Sequence, residues 1–315
     1  MSRRALVVGI DGYPVKPLRT CCNDAARMAS VLSLNADDSL NWIVSSLLAR
    51  DVRAPVVHRT DLLRELSELL TAEDDDVLFY FSGHAIRTPW GPELATQEGL
   101  LPGAGVSFSN LMTMINTSPA HSITVILDCC YSGDLGTELP GEGLGLADHD
   151  RSVLREDVVI LASAHPNGTS GPAGELSVFT ELLADGLLGG ACDQRGSVTA
   201  LSLYAHAWSA MVDSNAKPQF KANCAALPVL RNSDAWVQQK TFRELPRLFP
   251  SKDSELPFDP QWLTSRDAVD PDQRMLVELH AARLAKSEER EEQGWVLRLS
   301  RPGRYYWRLV KRDLL

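Results

Sequence analysis

The sequence predicts an α/β domain in which a mostly parallel sheet is covered on both faces by helices. Three observations predict it. Apolar runs of strand length recur at 5–10 (ALVVGI), 75–84 (DDVLFYFSGH), 122–130 (SITVILDCC) and 157–164 (DVVILASA), without the polar alternation of a half-solvated strand. Segments of helical periodicity separate these runs, which is the alternation that builds parallel sheets. Two of the runs end in residues able to do chemistry, Ser82-Gly83-His84 and Asp128-Cys129-Cys130. The carboxyl edge of such a sheet is where α/β proteins build their sites.

Each element has its own warrant. ALVVGI is β-branched and continuous, so it suits a first strand buried on both faces. NDAARMASVLSL (23–34) reads as a helix, capped by Asn23 or Asp24, with Ala26, Met28, Ala29, Val31 and Leu32 as its apolar stripe. TDLLRELSELLTAE (60–73) is a second helix, capped by Thr60 or Asp61, with leucines at 62, 63, 66, 69 and 70. The strand at 75–84 ends in a Ser-Gly-His turn, and SNLMTMIN (109–116) is a shorter helix before the strand at 122–130. After the strand at 157–164, SVFTELLADGLLGG (177–190) reads as a helix stopped by glycines and TALSLYAHAWSAMVD (199–213) as another. ELPGEGLGLADHDRSVLRED (138–157) has no periodicity and reads as a surface loop.

With 315 residues, 44% hydrophobic and 23% charged, the chain has room for one large domain and a smaller one. No apolar run approaches the roughly 18–20 residues that span a bilayer. MSRRALVVGIDG carries no cleavage site, so a cytoplasmic protein without membrane association is expected. The six cysteines include no C-x-x-C pair, which argues against structural zinc and, in a reducing compartment, for free thiols. A net charge of −10 argues against nucleic-acid binding by the molecule as a whole. The charge is uneven: residues 235–315 hold about 15 basic and 13 acidic side chains, so the excess acid lies before them. The change follows the last apolar run, AALPVLR (225–231), and sets expected domains of 1–232 and 233–315.

On the carboxyl edge of a doubly wound sheet His84 can meet a cysteine at 129 or 130, although 46 positions separate it from Cys130. A thiol is a useful nucleophile only as thiolate, and an imidazole promotes that ionisation or takes the proton on attack. YFSGHA (80–85) and DCCYSG (128–133) resemble the Y-x-S-G-H-G and D-x-C-x-S-G signatures of metacaspases and their bacterial caspase-like relatives. LRTCCNDAARMASVL (18–32) is similar to the family's C-x-N-D-A segment, which opens the first helix. The resemblance covers residues 4 to about 230 and implies a caspase-like three-layer sandwich with cysteine endopeptidase activity.

Matched position by position, the resemblance makes His84 the general base and Cys130 the nucleophile, with Cys129 a core thiol. Period-two geometry agrees, because neighbours on a strand face opposite ways. Backbone N–H groups of Cys130 and of Ala85, where the family usually has glycine, would hold the oxyanion. The resemblance further implies a substrate pocket of Cys21, Asp24, Ser82 and Asp128. Two carboxylates there would favour Arg before the scissile bond, with Lys second. Asp24 as a plain helix cap is the alternative. Many metacaspases need calcium. Here Phe108 and Ser109 fall where paired acids would, and only Asp134 and Glu138 follow the cysteine, so no metal or other cofactor is expected.

Partners follow from the same reading: a protein substrate, and an upstream activating protease or signalling partner engaging the C-terminal module. Self-cleavage, if it occurs, is expected after Arg151 or Arg155 in the long loop. His165 follows a strand and is a weaker candidate for the substrate groove. In the C-terminal module, 270–293 reads as an amphipathic helix. GWVLRLSRPGRYYWRLVKRDLL reads as a strand, a turn at Pro302-Gly303 and a final aromatic helix, a small α+β, winged-helix-like unit. Its Arg301, Arg304, Arg308, Lys311 and Arg312 are interleaved with Tyr305, Tyr306 and Trp307. Inward-packed aromatics and solvated cations on a docking surface are preferred to nucleic-acid contact. Bacterial relatives of this kind often act in stress, cell-death or antiviral defence. The competing class is a catalytically silent caspase fold that recruits partners through this module.

Overall fold

The computed structural model of the protein describes residues 2–53, 57–73, 75–131, 154–163, 176–211, 218–264, 270–291 and 294–315, with Cys130 and Tyr131 as backbone only. They form two compact units, one of Met1–Cys192 with Val198–Ser233, the other of Asp193–Ser197 with Asp234–Leu315. No described helix is long and apolar enough to cross a membrane.

In the first unit the elements run β1 (Arg3–Ile10), α1 (Cys21–Ser33), β2 (Ile43–Ala49), α2 (Arg59–Leu70), β3 (Asp76–Thr88), β4 (Gly91–Leu94), β5 (Val106–Ser107), α3 (Phe108–Thr117) and β6 (Ser122–Tyr131). They continue through β7 (Val158–Ala162), α4 (Val178–Asp185), a π-turn at Gly186–Gly190, β8 (Ser197–Thr199), α5 (Ala200–Ala210), β9 (Gln219–Asn223) and β10 (Val229–Asn232). The main sheet has the order β2-β1-β3-β6-β7-β9. It is parallel from β2 to β7, and β9 closes the far edge antiparallel to β7.

Alternation along the strands sorts the core into two layers. Val77, Phe79 and Phe81 of β3 and Ile123, Val125 and Leu127 of β6 face one core with α2 leucines 62, 66, 69 and 70. Leu78 and Tyr80 of β3 and Ile126 of β6 face the other, with Met28, Val31 and Leu32 of α1, Phe179 and Leu183 of α4, and Leu203 of α5. Full burial of one such side chain stabilises the fold by roughly 1.5–3 kcal/mol. The result is an α/β three-layer sandwich.

Several expectations need correction. Strand β3 does not turn at His84 but runs on to Thr88, because residues 85–88 pair antiparallel with β4. Helix α1 starts at Cys21 without a side-chain cap on its own N-cap residue, Thr20; instead Asp11 accepts from the N–H groups of Cys21 and Cys22 at 2.9 and 3.2 Å. Asp24 is therefore not a cap. Helix α2 is capped from His58, whose N–H donates to Asp61 at 3.1 Å, so Asp61 is the third helical residue.

The second unit contains α6 (Gln239–Leu248), β11 (Glu255–Pro257), a 3-10 turn at Pro260–Leu263, α7 (Pro271–Ala281), β12 (Ala285–Arg290), β13 (Gly294–Leu299) and α8 (Arg301–Lys311). Its antiparallel sheet has the order β11-β13-β12, over a core that includes Phe242, Phe249, Leu279 and Leu297. The long helix expected over 270–293 ends at Ala281, and 285–290 is a strand, held in register by β13. Pro302 and Gly303 lie inside the first turn of α8, where proline lacks only an N–H that the helix would leave unbonded.

Candidate functional site

The site is assembled by register. Pairing of β3 with β6 sets Ser82 opposite Asp128, Gly83 opposite Cys129 and His84 opposite Cys130. Odd positions of β6 belong to the α2 core, and Cys129, 1% exposed, lies there. By backbone position Cys130 has the parity of Asp128 and Ile126, the strand face that α1 and α4 cover.

His84 is buried and held at three points. Its backbone N–H donates to the Tyr13 hydroxyl at 3.0 Å, the Tyr13 ring stands 4.6 Å from the imidazole, and Nε2 meets the Lys16 carbonyl at 2.7 Å. A carbonyl only accepts, so Nε2 carries the proton, and the neutral ring keeps its lone pair on Nδ1. That atom is buried and has no hydrogen-bond partner among the described residues. Burial, aided by the charge of Lys16, lowers the His84 pKa and favours the neutral ring. Gly83 makes the arrangement possible: a Cβ there would lie 2.5 Å from the Tyr13 hydroxyl. Lys16 offers its carbonyl from a left-handed conformation, φ 55°, unusual for a residue with a side chain.

One turn of α1 and the end of β6 bring two carboxylates together beside this pair. Asp24 has no exposed surface, and Asp128 is 7% exposed. The N-terminus of α4 reaches both. Ser177 donates its N–H to Asp24 at 2.7 Å and its hydroxyl to Asp128, while Thr180 Oγ1 donates to Asp128 at 2.8 Å. Ser82 Oγ donates to Asp24 at 3.0 Å. Among the described residues no cation pairs with Asp24. Burial first, and the nearby Asp128 second, push its pKa up to about 7. Cys21 lies at the same place, its thiol pushed well up by burial and hydrogen-bonded to Ser82.

The structure thus brings together Cys21, Asp24, Ser82, Asp128 and His84, and pairs the backbone of Cys130 with that of His84. Ala85 is fully buried, its backbone paired to Tyr131 on one side and Leu94 on the other. Arg155 is not part of an open loop. Its N–H donates to Asn116 at 3.0 Å, and its guanidinium donates to the carbonyls of Ile115 and Ala120 at 3.2 and 2.6 Å. Cleavage after Arg155 would have to undo these contacts first. Arg151, most of the 138–157 loop and His165 lie outside the described residues. Tyr13, Lys16, Ser177 and Thr180 are the site residues that sequence reasoning missed. Only Ser177, a serine just before a helical pattern, carried a recognisable signal.

The family model for the caspase domain matches residues 2–233, and the chain belongs to that family. A solved protein from Geobacter sulfurreducens shares the fold, with a TM-score of 0.51, 14% identity, and 74% of this chain and 97% of that one covered. Caspase-1 from Spodoptera frugiperda is matched with a TM-score of 0.46 and 14% identity over 74% of this chain and 90% of the insect chain. No curated protein matches the sequence. Membership in the family implies cysteine-peptidase chemistry on protein substrates.

Proposed function

We propose that the protein is a cysteine endopeptidase that cuts after Arg, with Lys second. Cys130 attacks the scissile carbonyl, and His84 Nδ1 takes the thiol proton and delivers it to the leaving amine. The acyl-thioester is then hydrolysed by water. Backbone N–H groups of Ala85 and Cys130 receive the oxyanion. Asp24 and Asp128, seated on Ser82, Ser177 and Thr180, take the guanidinium, whose planar fork suits two carboxylates. The observation that carries this reading is the register: Ser82 and Asp128 sit two residues before His84 and Cys130 on neighbouring strands, and Ser82 holds Asp24 of α1 beside Asp128. A role in bacterial stress, cell death or antiviral defence rests on the resemblance alone.

Fluorogenic peptides with Arg, Lys or Asp before the scissile bond test the proposal on wild type, Cys130→Ala, His84→Ala and Cys129→Ala. Arg peptides should be cut best and Asp peptides hardly at all. Cys130→Ala and His84→Ala should drop to background, while Cys129→Ala keeps most of its activity. A preference for Asp would overturn the pocket assignment, and an active Cys130→Ala would overturn the nucleophile. A wild type inert on all three, with its fold intact, would favour the silent scaffold.

A further inference from the structure

The second unit contains a cavity of about 680 Å3 with a strongly one-sided lining. Five cations surround it: Lys286 from β12, Arg298 from β13, and Arg301, Arg304 and Arg308 from α8. Tyr305, 55% exposed, stands among them. Among the described residues no carboxylate lines the cavity. In a chain of net charge −10, residues 298–312 hold six cations and no acid.

The rotation of α8 creates this surface. Tyr306 packs against Phe242 with ring centroids 4.8 Å apart and planes tilted by 43°, and the Trp307 indole N–H donates to the Phe249 carbonyl at 2.7 Å. Gly303 faces the same core, where a Cβ would lie 1.9 Å from the Leu284 carbonyl oxygen. With that side fixed, residues 301, 304, 305 and 308 share the other side at helical spacing. Ser300 caps the helix by accepting from the Gly303 N–H, so the positive end of α8 also lies at the cavity.

Two of the cations have acidic neighbours, Arg298 with Glu288 at 2.6 Å and Arg304 with Asp253 at 3.3 Å. Among the described residues Lys286, Arg301 and Arg308 form no ion pair. The Nε groups of Arg298 and Arg304 are buried without an acceptor among the described residues. Like charges gathered in this way gain nothing from each other and call for a multivalent anion. The shape narrows the choice. A reader of duplex grooves presents a convex element, whereas these cations line a concavity within the roughly 300–1,000 Å3 typical of small-ligand pockets.

We propose that this cavity binds a small ligand carrying several phosphoryl groups, with the exposed ring of Tyr305 available to stack on a base. The phosphoryl groups can belong to a nucleoside polyphosphate or to inorganic polyphosphate. Arginine forks suit both, and only the nucleotide would use Tyr305.

Binding to the full chain is measured by fluorescence anisotropy of a labelled nucleoside triphosphate, with unlabelled nucleoside triphosphate, inorganic tripolyphosphate and a 20-nucleotide single strand as competitors. The expected result is binding that weakens with salt and falls at least about tenfold in Arg301→Glu/Arg308→Glu. Arg243→Glu, an exposed cation outside the cavity, should leave it unchanged. Tyr305→Ala should weaken the nucleotide but not tripolyphosphate; if it weakens neither, the cation site stands and the phosphate chain alone is its ligand. Arg301→Gln/Arg308→Gln serves as the second variant if the charge reversal unfolds the unit, as read by its melting temperature. Absence of binding by both phosphate probes, or binding unchanged in the double variants, overturns the proposal. Competition by the single strand alone overturns it in favour of a nucleic-acid surface.

Discussion

In the first unit Asp24 and Asp128 are withdrawn from water and held by the hydroxyls of Ser82, Ser177 and Thr180 and one backbone N–H. In the second unit Lys286, Arg301 and Arg308 stay exposed around an open cavity and form no ion pair among the described residues. Both arrangements concentrate one sign of charge, but they do so at different cost. Burial raises the proton affinity of a carboxylate and makes it selective for a cation that replaces its lost water. Exposed cations remain hydrated, cost little, and accept any oxyanion of suitable shape, with strong screening by salt. The buried pair should therefore be sensitive to single substitutions and to pH, and the exposed cluster to charge reversal and to ionic strength.

The largest expected effect within this comparison is at the acids. Asp24→Asn or Asp128→Asn should lower kcat/KM on Arg peptides by roughly 100-fold or more, since each removes one partner of a desolvated charge-assisted pair. Residual activity should shift toward peptides with an uncharged side chain at that position. Kinetics on matched Arg and Gln peptides check both points. A loss below about threefold would mean that the acids serve packing rather than recognition.

A smaller effect concerns pH. Asp24 must ionise to receive a guanidinium, and its pKa of about 7 exceeds that of an ordinary carboxyl. The His84 pKa is shifted down, so the imidazole is still neutral where Asp24 becomes protonated. Activity on Arg peptides should then fall about tenfold per unit below pH 7. In Asp24→Asn that limb should move to lower pH. The sign for stability is opposite. A folded pKa raised above the unfolded value means that the native state holds the extra proton. This contribution is most favourable at low pH, declines as pH rises from the ordinary carboxyl range through about 7, and is constant above. A wild-type profile that is flat from pH 6 to 8 would break the link between burial and recognition.

The parts legible in the sequence are those whose cause is local periodicity. The strands of the central sheet carry unbroken apolar runs, and α2 carries its leucines at helical spacing. Edge strands lack such runs. IVSSLLA in β2 and QFKAN in β9 are mostly half-buried or exposed and carry polar residues inside the run, and neither was anticipated. Strand β12, AKSEER, reads as helix by propensity and is a strand only because β13 pairs with it, a tertiary cause. At the site the residues with distinctive chemistry stood out, whereas Lys16 did not. It acts through a backbone carbonyl, and every residue has one.

The smallest effect tests that last point. Lys16 is exposed and left-handed, so Lys16→Gly removes no packing and relieves a strain that costs residues with a Cβ about 1 kcal/mol. The greater freedom of glycine in the unfolded chain offsets this by about 0.5–1 kcal/mol. Stability should change by less than about 1 kcal/mol, read by denaturant midpoint. The carbonyl that holds His84 Nε2 remains, so activity at pH 8 should stay within about threefold of wild type. The lysine charge, which pushes the His84 pKa down, is gone, so the imidazole should titrate at higher pH when followed by NMR. Lys16→Pro provides the contrast. A proline ring fixes φ near −65° and cannot adopt the native 55°, so the carbonyl is re-aimed and His84 loses its anchor. Activity should then fall at least about tenfold although the side-chain charge lost is the same. Equal losses in the two variants would show that the lysine side chain, not the backbone, positions the base.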